Sequence, residues 1–284
     1  MNRLWIVLVV VLFVFGCKWI SGPGKNAEVA INANAPAVTP EPTPVAATPT
    51  PTATPSEGMP KGVTVDKVMS VKFESGKFAD GWRWIDPDGE FSPTKYEFKD
   101  NRLTMTVPTT KDLYAGNRTA PRLVKAVTGD FQIEARINFV PTHDYQGAGL
   151  LIYVDGDNYI RLERAFGGIG GGGSGIRLDA RRKDKYEALT TPIEIPTITT
   201  SVNLKITRRL NIFSAFWRED ESSEWRLIED VETDFGNTVL AGVAACNTSE
   251  EIETEFQQIK ISPQPLQRPY ERTSCATSAY IQLW

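Results

Sequence analysis

Alternation of apolar and polar residues is the clearest signal in this sequence, and it is strongest between residues 148 and 182. The run Gly149–Val154 is apolar on both faces, which is typical of a strand in the middle of a sheet. Tyr159–Ala165 and Ile176–Arg182 alternate with a period of two, so each predicts a strand with one buried and one polar face. A turn at Asp155–Asn158 and a glycine loop at Gly167–Gly175 separate them. The pattern predicts three consecutive antiparallel strands.

The charges on the second and third of these strands predict their register. Sliding the third strand by two residues either way would place Arg161 opposite Arg177 or Arg181, and like charges directly opposite each other are unfavourable. The predicted pairs are Glu163 with Arg177, Arg161 with Asp179, Tyr159 with Arg181 and Leu162 with Leu178. The polar face has two interpretations: a solvated face laced with weak ion pairs, or a rigid surface that grips a polar ligand.

Similar runs recur from residue 62 to residue 262, with turns between them and hardly any helical period. The clearest are Leu103–Val107, Phe131–Phe139, Val202–Ile206, Leu210–Trp217, Trp225–Ile228, Val239–Ala245 and Ile252–Ile261. About a dozen strands close most simply as two packed sheets. We therefore expect an all-β domain, a two-sheet antiparallel sandwich.

The N-terminus predicts export. A basic start at Asn2-Arg3 precedes the apolar run Leu4–Phe15, which is short for a membrane span. It ends in Val14-Phe15-Gly16-Cys17, which resembles the lipobox of bacterial lipoproteins. That resemblance implies a signal peptide over residues 1–16, palmitate and further acyl chains on Cys17, and, because Lys18 follows, the outer membrane or cell surface. An uncleaved anchor or an ordinary secretory signal is the alternative.

Residues 17–61 and 263–284 flank the predicted sandwich. The first segment is rich in Pro, Thr and Ala and repeats no apolar pattern, so we expect a disordered tether. The second carries Tyr270, Tyr280 and Trp284 and is either a docking segment or a disordered tail.

Composition narrows the chemistry. The chain has 31 basic and 35 acidic residues and no basic stripe, so nucleic acid is a poor partner. If Cys17 is lipidated, Cys246 and Cys275 form either a disulfide or two separate thiols. With His143 as the only histidine, structural zinc and a histidine-based catalytic triad are disfavoured.

Aromatic and charged side chains supply a candidate ligand surface, because sugar sites combine aromatic platforms with charged hydrogen-bonding groups. The candidates are Trp82, Trp84, Tyr114, Tyr153, Tyr159, Arg161, Glu163, Arg177 and Asp179. For the two tryptophans the competing interpretation is burial in the core. The glycine loop lacks Gly-Lys-Ser/Thr and a following helix, which favours a flexible rim over a phosphate loop.

The ordered spacing of strands also resembles a known superfamily. The matching stretches are Phe131–Ile137, Gly149–Leu162, Leu204–Arg208, Trp225, Gly242–Ala245 and Phe256–Ile259. They look like the concanavalin A-like lectins and glucanases. They are more narrowly similar to a domain family of unknown function named after a "regulation of enolase" protein, and to accessory domains of some β-xylosidases. The resemblance implies a jelly roll over residues 62–262. Some relatives hold calcium near their last strands, but Phe256-Gln257 stands where Phe-Asp is common, so we expect no cofactor.

Catalysis is disfavoured by the carboxylate pattern. Retaining glucanases of this superfamily use Glu-x-Asp-x-x-Glu, whose two working carboxylates sit about 5–5.5 Å apart, and the sequence lacks it. Glu219, Glu221 and Glu224 fall in a predicted turn, and the stripe Glu251–Glu255 is typical of a solvated face. We expect a lipid-anchored, non-enzymatic module that binds carbohydrate or another surface polymer. The alternatives are a protein-interaction or scaffolding module and a glycoside hydrolase with an unrecognised site.

Overall fold

The structure is a computed structural model that describes residues 58–265, apart from 168–172, 191–192, 197 and 248. The predicted signal peptide, Cys17, most of the tether, Cys275 and nearly all of the C-terminal tail lie outside these residues. Within them the regular structure is entirely β. The described part of the chain holds no helix of the length and hydropathy needed to cross a membrane.

Two large sheets and a small hairpin make up the fold. The first sheet, sheet A, contains β1 (Val63–Thr64), β5 (Trp82–Ile85), β8 (Arg122–Thr128), β10 (Gly147–Asp155), β11 (Asn158–Phe166), β12 (Ser174–Arg182), β13 (Lys185–Ala188), β14 (Ile193–Glu194) and β18 (Thr238–Cys246). The second, sheet B, contains β2 (Met69–Ser70), β6 (Lys95–Lys99), β7 (Arg102–Val107), β9 (Phe131–Asn138), β15 (Ser201–Arg209), β16 (Ile212–Arg218), β17 (Arg226–Glu232) and β19 (Ile252–Ser262). The hairpin joins β3 (Phe73–Glu74) and β4 (Lys77–Phe78).

The order of strands is β1-β8-β18-β10-β11-β12-β13 in sheet A, with β5 beside β8 and β14 beside β12. In sheet B it is β17-β16-β15-β9-β19-β7-β6, with β2 beside β19. Every pair is antiparallel except β1 with β8. The prediction of an all-β, two-sheet jelly-roll sandwich is confirmed.

Alternating residues build the core between the sheets. In β9 the side chains of Phe131, Ile133 and Ile137 are fully buried, while the residues between them are half-buried on the other face. Those inward side chains meet the inward faces of β10 and β11, including Leu150 and Leu162. Period-two patterning therefore places one continuous apolar layer between the sheets.

The three strands that the sequence marks most strongly lie side by side in sheet A. Their predicted register is confirmed: Glu163 pairs with Arg177, Arg161 with Asp179, Tyr159 with Arg181 and Leu162 with Leu178. The apolar run Gly149–Val154 belongs to β10, which lies between β18 and β11 in mid-sheet as expected. The strands are one to three residues longer than predicted at several ends.

A second, smaller apolar cluster covers the outer face of sheet A. Leu113, from the segment 108–121 that links β7 to β8, packs there with Val124, Leu151 and Leu240. Tyr159 belongs to the same cluster and is fully buried. The interpretation of this polar face as simply solvated is therefore wrong, because a segment distant in sequence folds over it.

The chain enters and leaves the sandwich at one end. Val63 pairs with Val127 at the end of β8, and Ser262 pairs with Gln132 at the start of β9, just across the turn between those two strands. Cys246 is at the other end of β18 from Thr238, which is the partner of Thr128. At about 3.3 Å per residue, the two ends of β18 are roughly 26 Å apart.

Candidate functional site

A pocket lies over the outer face of sheet A, at the end of β18 that carries Cys246. The space between its walls is about 460 Å³, and part of that space is open to solvent. Its walls come from five strands of sheet A, namely β10, β11, β12, β13 and β18, and from three loops. The lining residues are Asp112, Tyr114, Tyr145, Gln146, Gly147, Arg161, Glu163, Ala165, Phe166, Gly167, Arg177, Asp179, Tyr186 and Cys246. The polar face of the two alternating strands thus forms the floor of this pocket.

Arg161 is the centre of the polar floor. Its Nε and Nη2 donate to the two carboxylate oxygens of Asp179, both at 2.9 Å, in a two-point contact. Nη1 donates to Asp112 at 3.5 Å and to the Cys246 sulfur at 3.2 Å. Burial disfavours the charged guanidinium, but the carboxylates of Asp179 and Glu163 outweigh it and raise the pKa of Arg161. Arg161 therefore stays charged and holds the acidic side chains in place.

Glu163 is an acidic group of the floor whose hydrogen bonding is incomplete. Its side chain is buried, and Oε2 lies 3.8 Å from Arg161 Nε. Oε1 has no hydrogen-bond partner among the described residues. Burial raises the pKa of Glu163 to about 7, and the charges of Asp179 and Asp112 add to the effect of burial while Arg161 opposes it. Burial likewise raises the pKa of Asp112. Because the pocket holds more acid than it can ionise, one proton stays on it near neutral pH.

Two tyrosines form an aromatic corner of the pocket. Tyr186 of β13 donates its hydroxyl to Asp179 Oδ2 at 3.3 Å. Its ring meets Tyr114 edge to face, with centroids 5.2 Å apart. Tyr114 is 40% exposed, so its ring is open to a ligand. The corner places aromatic surface beside carboxylates, the combination that polar ligands with an apolar face require.

Gly147 makes room for the floor. A Cβ at this position would lie 3.0 Å from the Glu163 carboxyl. Gly149, the next residue on the same face of β10, approaches the neighbouring strand still more closely, since a Cβ there would be 2.0 Å from the Leu162 carbonyl oxygen. Gly147 therefore leaves room for the Glu163 carboxyl, and Gly149 allows the close approach of the β11 backbone.

The candidate residues from the sequence fall in three places. Arg161, Glu163, Arg177, Asp179 and Tyr114 all line the pocket. Tyr159 does not, because its ring is buried under the segment 108–121 and its hydroxyl donates to the Leu113 carbonyl. Tyr153 also lies outside the pocket, where the Arg122 guanidinium stacks on its ring.

The tryptophans require a correction. Trp82 is buried in the main core and its Nε1 donates to the Ser70 carbonyl, so it offers no surface platform. Trp84 packs against that core, with its ring 4.5 Å from Tyr96. Both side chains point to the inner side of β5, because alternation on that strand turns them towards the sandwich interior. The core interpretation of this pair is the one that the structure supports.

Sequence reasoning missed the residues that come to the pocket from elsewhere, chiefly Asp112, Gln146 and Tyr186. Asp112 and Gln146 lie in loops, and Tyr186 is on a short strand whose pattern is too brief to mark a face. Cys246, proposed for a disulfide with Cys275, is a buried thiol under the pocket, and Cys275 lies outside the described residues. In the described ranges, no group of three or more acidic, cysteine or histidine side chains is arranged to hold a metal ion.

The fold and the site together define a jelly-roll domain with a charged, tyrosine-lined pocket on one sheet. The chain belongs to a family described as protein of unknown function (DUF1349), whose model matches residues 90–264. No curated protein sequence matches the chain.

Solved structures share this fold. A functionally unknown protein from Saccharomyces cerevisiae has a TM-score of 0.56 at 13% identity, over 65% of this chain and 97% of that one. A Bacteroides ovatus protein described as Xyloglucan PUL GH43B has a TM-score of 0.52 at 19% identity, over 67% of this chain and 38% of that one. A mutant of the GH43 protein BlXynB from Bacillus licheniformis has a TM-score of 0.51 at 14% identity, over 64% of this chain and 36% of that one. The domain thus corresponds to little more than a third of the two GH43 chains.

Proposed function

We propose that this protein is a cell-surface, lipid-anchored carbohydrate-binding module whose ligand site is the pocket over sheet A. The observation that carries the proposal is the construction of the pocket floor. Buried charged groups hold one another in fixed positions beside exposed tyrosine surface, in a pocket that is open to solvent. Ligand sites generally combine apolar walls with a few fixed polar groups.

A sugar fits these features better than an apolar ligand does. Its hydroxyl groups need several hydrogen-bonding partners at fixed positions, and its C–H faces stack on aromatic rings. The hydrogen-bonding partners in the pocket are Asp112, Glu163 and Arg177. The aromatic rings are those of Tyr114 and Tyr186. The fold's likeness to proteins described as GH43 and Xyloglucan PUL guides the choice of glycans to test.

Display at a cell surface is supported by the N-terminal sequence, in which a basic start, an apolar run and the lipobox-like Val14-Phe15-Gly16-Cys17 precede the predicted tether. Lipidation of Cys17 and a location at the cell envelope are parts of this proposal and follow from the lipobox resemblance.

We propose binding without hydrolysis. A retaining hydrolase needs one free carboxylate as nucleophile and one carboxylic acid as proton donor. Asp179 is held by both Nε and Nη2 of Arg161, and Asp112 accepts from the Leu113 amide and from Arg161. These carboxylates support the floor, and their hydrogen bonds oppose a role as nucleophile.

A glycan array with the full chain, purified in detergent, tests the binding. Xyloglucan, xylan and bacterial envelope glycans should include at least one ligand. Arg177→Ala and Tyr114→Ala should lose binding at least tenfold, while Phe91→Ala, an exposed aromatic outside the pocket, should not. Absence of binding at millimolar glycan would end the proposal. Release of reducing sugar from any of these polymers would replace it with the hydrolase alternative.

The anchor is tested separately. Cells grown with radiolabelled palmitate should label the wild-type chain and should not label Cys17→Ser. An unlabelled wild-type chain would overturn the lipoprotein assignment and leave the pocket proposal untouched.

A further inference from the structure

The pocket floor contains a buried acceptor that no described group reaches. The Nε and both terminal nitrogens of Arg161 donate to Asp179, Asp112 and Cys246. The Tyr186 hydroxyl also donates to Asp179. Glu163 Oε1 is buried and has no hydrogen-bond partner in the described part of the chain. A buried acceptor of this kind costs free energy until a donor reaches it.

The charged groups of the pocket lining also favour a ligand that donates hydrogen bonds and carries a positive charge. Three carboxyl side chains, of Asp112, Glu163 and Asp179, line the pocket against two guanidinium groups, of Arg161 and Arg177. While Glu163 holds its proton the lining is balanced, and when Glu163 ionises the lining carries one uncompensated negative charge. A cation beside Glu163 favours the ionised form and compensates that charge, which is buried and therefore weakly screened by water.

The aromatic corner favours the same kind of ligand. The rings of Tyr114 and Tyr186 meet edge to face at 5.2 Å, beside the carboxylates. A tyrosine face attracts an ammonium group through its ring quadrupole, with a contribution of about 0.5–2 kcal/mol that grows as the site loses water. Carboxylates and tyrosine faces around one cavity form an ammonium-binding arrangement.

We propose that the pocket recognises an amino sugar, a hexosamine unit with a free amino group, whose ammonium group pairs with Glu163. This inference rests on the proposed function, since it names the class of sugar for the same pocket. The ammonium group supplies three donors and one positive charge, which satisfies Glu163 Oε1 and balances the lining. An acetylated amine supplies no charge and one N–H donor in place of three, so the site discriminates between the two forms.

Matched monosaccharides test the proposal directly. Glucosamine, galactosamine and mannosamine are titrated into the full chain in detergent at about pH 7, where a large share of Glu163 is ionised, alongside their N-acetyl derivatives and the parent hexoses, and binding is followed by calorimetry and ligand-observed NMR. At least one free hexosamine should bind about tenfold or more tightly than its acetylated and hydroxyl counterparts. Equal affinities within each set, or no hexosamine binding at all, would overturn the inference.

Two variants connect any preference to Glu163. Glu163→Gln should reduce the affinity for the hexosamine to that for the parent hexose. The affinity for the parent hexose itself should change little. Gly147→Ala should do the same, because its Cβ would lie 3.0 Å from the Glu163 carboxyl and displace it. Glu255→Gln, which removes a half-buried carboxylate on sheet B, is the matched control and should keep the preference. Thermal unfolding of each variant confirms that it is folded, and a preference that survives in folded Glu163→Gln or Gly147→Ala would contradict the assignment.

The outcomes separate this inference from the function on which it rests. If neutral glycans bind in the array and hexosamines do not, the carbohydrate-binding proposal stands and the amino-sugar proposal fails. If neither binds, both fail.

Discussion

The outer faces of the two sheets look alike in sequence and differ in the fold. On sheet A, the residues Arg161, Glu163 and Asp179 expose only 5–7% of their surface to solvent. On sheet B, Glu134, Lys205 and Arg218 occupy equivalent outward positions and remain half-exposed. Both faces carry charged residues at a period of two. The difference arises because the segment 108–121 covers the first face.

The contacts of the two faces differ accordingly. On sheet A, cations meet carboxylates: Arg161 binds Asp179 through two hydrogen bonds and also contacts Asp112. On sheet B, Lys205 Nζ and Arg218 Cζ lie over the Trp225 ring, 4.3 and 4.4 Å from its centroid. A buried charge needs a charged partner, whereas a half-exposed charge is also stabilised by water. Because one face is covered, its charged side chains are buried and hold one another in fixed positions.

The largest expected effect comes from removing the cation of the covered face. Arg161→Ala leaves Asp179 and Glu163 buried without their main counter-charge, and we expect a loss of about 3–5 kcal/mol in the free energy of unfolding. Arg218→Ala on sheet B removes a half-exposed cation and should cost less than about 1 kcal/mol. Urea unfolding of the full chain, followed by tryptophan fluorescence, measures both. Similar losses for the two variants would mean that the faces are energetically equivalent.

The strands and their register were predictable because their information is local. Alternation identified β11 and β12, and the positions of Arg161, Glu163, Arg177 and Asp179 excluded the shifted pairings. The site was only partly predictable. Its floor comes from those strands, whereas its walls come from segments distant along the chain.

Asp112 and Tyr186 show why the rest could not be predicted. Asp112 lies 49 residues from Arg161, in a loop without periodicity. Tyr186 lies opposite Arg181 on a four-residue strand, and it reaches Asp179 from there. Whether a polar strand face is covered or solvated depends on such packing, which no local pattern encodes. Trp82 is the converse case, because an aromatic at a strand position fits a core and a platform equally well.

The next effect is a pH dependence that only the covered face should show. Burial raises the pKa of Glu163 from 4.5 to about 7, so the folded protein holds this proton more tightly than the unfolded chain does. The stability from that proton is complete below about pH 4.5 and is lost as the pH rises through about 7, with a magnitude on the order of 2–3 kcal/mol. The free energy of unfolding should therefore fall from about pH 5 to pH 8.

Glu163→Gln should flatten this slope, because the amide stays neutral throughout the range. Glu255→Gln, on sheet B, should keep the wild-type slope. Unfolding curves at several pH values decide the matter, and an unchanged slope in Glu163→Gln would show that another group is responsible.

A smaller effect is expected at the aromatic corner. Tyr186→Phe removes the hydroxyl that donates to Asp179 at 3.3 Å and should cost about 1–2 kcal/mol, since the acceptor is a buried carboxylate. Tyr145→Phe removes a hydroxyl from a side chain that is 53% exposed and should change the free energy of unfolding by less than about 0.5 kcal/mol. Equal changes would indicate that the hydrogen bond to Asp179 adds nothing to stability.

The smallest effect belongs to an ion pair on the open face, where Lys260 Nζ lies 3.2 Å from Glu134 Oε2. Lys260 is 39% exposed on its side chain, so we expect a coupling energy of only about 0.2–1 kcal/mol from a double-mutant cycle with Lys260→Met and Glu134→Gln. Near 1 M salt the screening length falls to about 3 Å, and the coupling should disappear. The same cycle with Arg161→Met and Asp179→Asn should give a coupling that is larger and changes less with salt, because this pair is buried and salt screens buried pairs less than exposed ones. A salt-sensitive coupling between Arg161 and Asp179 would mean that the segment over sheet A opens readily, and the contrast between the two faces would then be one of dynamics as well as of burial.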